Sequence, residues 1–70
     1  MTKEQKIIQA NRDYEEAKRL LHKSYAEKFK ELPVSECGEV YAKDVLALNE
    51  WAESESKRLL NEWVNKVVHA

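Results

Sequence analysis

The chain has 70 residues, with 12 Lys and Arg against 13 Asp and Glu, so it carries a net charge of −1 with histidine neutral. Charged residues make up 36% and apolar residues 43%, a balance that allows one domain and argues against intrinsic disorder. No apolar run approaches the ~18–20 residues of a membrane-crossing helix, and the charges spread through Met1 to Arg12 leave no apolar core for a signal peptide.

The turn-forming residues are confined to one place, with a single proline at Pro33 and a single glycine at Gly38. A β-rich domain needs such residues at many turns. Glu, Lys, Ala, Leu and Arg dominate elsewhere, and these favour helix. The fold class expected is therefore all-α, one domain spanning 1–70, with a helix over 3–32, a connection over 33–38 and a helix over 39–68.

Thr2 followed by Gln5 fits the capping box that starts a helix. At ~100° per residue, Ile7, Ala10, Tyr14, Ala17, Leu21, Tyr25, Phe29 and Leu32 share one face. Pro33 stops the helix by disfavouring helical dihedrals at the residue before it. In the connection, Ser35 is placed to cap the second helix, with Glu36 and Glu39 in its first turn beside the positive end of the helix dipole. The flexibility of Gly38 shifts the expected start to Glu39. The second stripe is Tyr41, Val45, Leu48, Ala52, Leu59 and Trp63, with Ser56 and Val67 at its edge.

A short connection makes two long helices antiparallel neighbours. Folding about Ser35 sets Tyr25 near Val45, Ala17 near Ala52, Tyr14 against Ser56 and Ile7 near Trp63. A two-helix hairpin has one interface and encloses no core, so burial and ordering entropy nearly cancel at this size. Leu46, Leu60, Val64 and Val68 form a further apolar face on helix two, and Ile8, Leu20 and Ala26 lie off the stripe of helix one. The simplest cover for that surplus is a second copy, giving a homodimeric four-helix bundle.

The chain offers little for catalysis. It has no Gly-rich phosphate loop and no HExxH. One cysteine, Cys37, permits no intrachain disulfide. With only His22 and His69 beside it, the chain lacks a four-ligand Cys/His zinc set. The single cysteine suits a reducing compartment, so a cytoplasmic location is expected. Cys37 near a helix N-terminus would have its thiol pKa lowered, but it is more simply a loop residue. No enzyme activity, cofactor, metal or small-molecule substrate is expected.

Residues 1–32 hold eight basic and six acidic residues, and 33–70 hold four and seven. The two helices thus carry opposite net charge, which favours their pairing. Arg12, Arg19, Lys23 and Lys30 fall on one outer line of helix one, opposite its apolar face. Such a line can track phosphates, although Glu15, Glu16 and Glu27 interleave with it and Glu15 suits an i,i+4 pair with Arg19. Trp51 points away from the second stripe, toward Ala47, Ser54, Glu55 and Arg58, and an exposed tryptophan is a common binding hot spot.

The opening MTKEQK and the two-helix plan resemble the small plasmid copy-number repressors, which form antiparallel hairpin dimers and bind paired RNA hairpins. The likeness covers Met1 to Lys6, and the Pro33 to Gly38 connection and two tryptophans depart from it. It implies a dimeric hairpin that regulates through nucleic acid and transfers no site residue.

The function expected is that of a small non-catalytic adaptor or inhibitor. It would act by protein–protein contact as a homodimer, through Trp51, Leu46, Leu60, Val64 and Val68. The alternative is an RNA- or DNA-binding regulator using Arg12, Arg19, Lys23 and Lys30.

Overall fold

The capping box at Thr2 forms as expected. Thr2 is in extended backbone, its hydroxyl accepts from the Gln5 N–H at 3.2 Å, and its own N–H donates to Gln5 Oε1 at 2.9 Å. Two of the free N–H groups at the helix start are thereby satisfied. Helix α1 runs Lys3–Lys30, ending two residues before the expected boundary. Its end tightens, with Glu31 N–H donating to the Lys28 carbonyl and Leu32 N–H to the Phe29 carbonyl. Pro33 restricts Leu32 before it, so the last turn closes with i,i+3 bonds.

The computed structural model describes residues 2–33 and 38–70. The Ser35 cap, the place of Glu36 in the first turn, and the Cys37 thiol lie outside the described residues. Helix α2 runs Gly38–Val68, one residue earlier than expected at its start.

The two helices pack against each other as an antiparallel hairpin. Its Cα envelope measures 55 × 16 × 8 Å, the dimensions of a rod two helices wide and one helix thick. Such a rod encloses little. Only Ala10 at 3% exposure and Leu48 at 8% are buried among the described residues.

Around them the α1 side of the seam is half-buried at Ile7, Tyr14, Ala17, Leu21, Ser24 and Tyr25. Ile7, Ala10, Tyr14, Ala17, Leu21 and Ser24 recur at alternating steps of three and four, the 3.5-residue period of helices that wind around each other. A straight helix drifts ~20° per heptad against that period. The accumulated drift explains one correction. Phe29, expected on the stripe, is 40% exposed, while Leu32 beyond it is half-buried, and Lys28, itself exposed, reaches across with its ammonium 5.0 Å from the centre of the Trp51 ring. The Phe29 ring stacks on Tyr25, with centroids 6.1 Å apart.

The register is also one helical turn away from the one that folding about Ser35 implies. Tyr25, expected near Val45, donates its hydroxyl to Asn49 Oδ1, one turn further along α2. Trp63 donates its indole N–H to Asn11 Oδ1 at 2.8 Å, one turn on from Ile7. Tyr14 meets Trp63, not Ser56, with ring centroids 5.7 Å apart and planes tilted by 40°. Ala52 shares a groove with Leu21, and Ala17 one with Leu59. Large-against-small contacts fill the seam better than alanine against alanine, and the polar ends of Trp63 and Tyr25 add hydrogen bonds that apolar spacing does not encode.

Candidate interaction surface

The residues proposed from sequence as a contact surface divide into two groups. Leu46, Leu60, Val64 and Val68 are exposed on α2 away from the seam, Leu46 at 58% and Val68 at 69%. Their spacing explains the placement: Leu46, Leu60 and Val64 fall on one helical face, turned from the line of Val45, Leu48, Ala52 and Leu59 that meets α1. Between Leu46 and Leu60 the face carries Glu53 and Lys57, an i,i+4 ion pair at 3.3 Å with both side chains well exposed.

Trp51 does not belong to that face, nor is it free in solvent. It is half-buried and shares a groove with Ala17, Leu20, Leu21 and Ser24 of α1, and with Glu55, Arg58 and Leu59 of α2. Small Ala17 and Ser24 leave room for the indole to reach across to α1, and Lys28 covers its face. The expected neighbours Glu55 and Arg58 are present, but the seam is wide enough to include Trp51 on its flank. Leu20, at 49% exposure, extends this groove outward.

The basic line of α1 is broken by its own acids. Arg19 is held by Glu16 through two hydrogen bonds, of 2.6 Å from Nη2 and 3.2 Å from Nε. Glu15, expected to pair with Arg19, pairs with Lys18 at 3.1 Å. The hydrogen bond from Arg19, and then its charge, hold the Glu16 carboxyl below its ordinary range, and Glu16 in turn raises Arg19. Arg12, Lys23 and Lys30 are exposed and have no carboxylate partner among the described residues. On α2, Arg58 bridges Glu55 and Glu62, each at 2.8 Å, and both raise its pKa, Glu55 the more.

Sequence reasoning missed Asn11, Asn49 and Lys28 as contacts across the seam. Asparagine is a weak helix former, but the helices hold four of them, Asn11, Asn49, Asn61 and Asn65, so residue type alone does not single out the two that meet an aromatic across the seam. It also missed the cross-helix pair of Lys66 with Asp13 at 3.7 Å.

The surface is grooved and has no enclosed cavity among the described residues. Most of the grooves are open clefts between the helices, the most apolar lined by Leu21, His22, Tyr25, Ala52 and Ser56, with Lys18 and Glu53 at its rim, and one lies on α1 alone, along Gln5, Ile8, Gln9 and Arg12. No group of three or more His, Cys, Asp or Glu is placed to hold a metal among the described residues, and no helix there is long and apolar enough to cross a membrane. The hairpin exposes 5540 Å², whereas mass scaling gives about 4,500 Å² for a compact monomer of 8.2 kDa.

No family model, curated protein or solved structure matches the chain, so the functional reading rests on this geometry.

Proposed function

We propose that the chain is a non-catalytic helical adaptor or inhibitor that acts through protein–protein contact. Its contact surface is the outer face of α2, and its working form is a homodimer of hairpins, a four-helix assembly. The observation that supports this is the exposed row of Leu46, Leu60, Val64 and Val68. These side chains have no polar end to satisfy, and covering apolar surface stabilises by about 25 cal/mol per Å². Trp51 serves as a seam anchor in this reading and contributes to the surface only through its groove with Leu20.

The test compares the wild-type chain with Leu60→Asp by light scattering and by circular dichroism. The expected result is a dimer for the wild type and a helical monomer for Leu60→Asp. A wild-type chain that stays monomeric at millimolar concentration overturns the homodimer.

A second reading is favoured by one observation, the exposed and unpaired state of Arg12, Lys23 and Lys30 among the described residues. With Arg19 they would contact the phosphates of RNA or DNA in a regulatory role. Phosphate contacts lose affinity steeply as salt rises, so titrations with duplex RNA and DNA at two salt concentrations decide it. Absence of binding at low salt removes this reading.

A further inference from the structure

The α2 outer face carries an exposed row of apolar and charged side chains. Leu46, Glu50, Glu53, Lys57, Leu60 and Val64 alternate at steps of four and three, all exposed, which makes a second heptad seam on the side of α2 away from α1. The pattern is apolar at both ends and charged in the middle, with acids N-terminal to the base. We infer that the occupant of this seam is the α2 helix of a second copy, running antiparallel, with Leu46 opposite Val64 of the partner subunit and Glu53 opposite Lys57 of the partner subunit. This rests on the reading of the outer face as a contact surface and names its partner and orientation.

Charge decides the direction. In a parallel pair each residue meets its own copy, so Glu50, Glu53 and Lys57 would each face a like charge in three successive layers. In the antiparallel pair the two-fold axis passes between Glu53 and Lys57. Glu53 then meets Lys57 of the partner subunit, twice over, Leu46 meets Val64 of the partner subunit, and Glu50 lies opposite Leu60 of the partner subunit, where it meets no like charge. Like-charge contacts across an interface suppress the wrong arrangement, and opposite ones fix the register. A heptad slip in one direction sets Glu50 against Glu53 of the partner subunit, and a slip in the other leaves Leu46 without a partner, so among these registers one pairs Glu53 with Lys57 and covers Leu46.

The same two-fold operation makes the contact self-complementary, as closed dimers require. The intrachain Glu53–Lys57 pair at 3.3 Å places both charges near the axis, ready to join a four-charge cluster.

The experiment uses the full chain and sedimentation equilibrium, with circular dichroism to confirm helicity. Glu53→Lys and Lys57→Glu are at exposed positions, so each variant folds. Each alone is expected to weaken self-association by roughly tenfold or more, because both symmetric contacts become like-charged. An equimolar mixture of the two variants is expected to restore dimers, since every contact between unlike chains is again opposite in charge. In a Cys37→Ser background, chains with Leu46→Cys are expected to form disulfides with chains carrying Val64→Cys on oxidation with diamide, and not among themselves. A wild-type dimer that ignores the charge exchange, or Leu46→Cys chains that couple to one another, overturns the antiparallel register and leaves the contact surface standing. A wild-type chain that stays monomeric at millimolar concentration overturns the register together with the homodimer.

Discussion

The seam between α1 and α2 and the outer face of α2 are both heptad patterned, yet they are built differently. The seam uses small residues and aromatics with polar ends: Ala10, Ala17 and Ala52 let the helices approach, while Trp63 and Tyr25 reach across to Asn11 and Asn49. The outer face uses branched aliphatics around a charged centre, Leu46, Leu60 and Val64 about Glu53 and Lys57. The difference separates two tasks. An intrachain seam that is always in contact can use hydrogen bonds to hold its register. A surface that is sometimes wet does better with charges that water tolerates and aliphatics that gain only on contact.

The comparison is open to test through single substitutions. The largest effect is expected for Trp63→Ala, which removes the contact with Tyr14 and the hydrogen bond to Asn11. Half-burial of the side chain places the loss at about 2–3 kcal/mol, at or below the bottom of the range for a fully buried large aromatic, measured by urea unfolding followed at 222 nm (roughly the helical minimum). Trp51→Ala is expected to cost about 1–2 kcal/mol through lost packing and the lost cation–π contact with Lys28, with no change in the mass of the assembly. A change in mass with unchanged stability would move Trp51 from the seam to the outer surface.

Asn49→Ala is expected to lower stability by about 0.5–1 kcal/mol, because it removes the acceptor for Tyr25 in a site where water can replace it. For Leu60→Ala, melts of the dilute monomer are expected to shift by no more than about 0.5 kcal/mol, while self-association weakens measurably by light scattering. The reverse outcome would place Leu60 in the intrachain core.

The smallest effect concerns Glu16. Arg19 depresses its carboxyl pKa from the ordinary value of 4.5, first by hydrogen bonding and then by charge. The folded value lies below the unfolded one, so the stabilising contribution is present above the unfolded value and is lost as pH falls through the folded one. Both groups are exposed, so the contribution is small. The difference in melting temperature between wild type and Glu16→Gln is expected to shrink as pH falls from neutrality through the acid range. A constant difference would show that Glu16 acts through something other than its charge.

Much of this architecture is already set by residue types and their order. A single Pro33 and a single Gly38 in a chain of strong helix formers allow only one break. Thr2 and Gln5 mark the first helix start, and the apolar spacing separates Leu46, Leu60, Val64 and Val68 from the seam. These are local properties, readable because capping, proline restriction and helical periodicity act over a few residues. The register, the half-burial of Trp51, the exposure of Phe29, the reach of Lys28 to Trp51 and the choice of Glu16 over Glu15 for Arg19 came only with the packed hairpin. Their common cause is that two long helices with similar stripes overlap almost equally well one turn apart. The balance is tipped by side chains that touch across the seam, through supercoil drift, large-against-small packing and the polar ends of two aromatics.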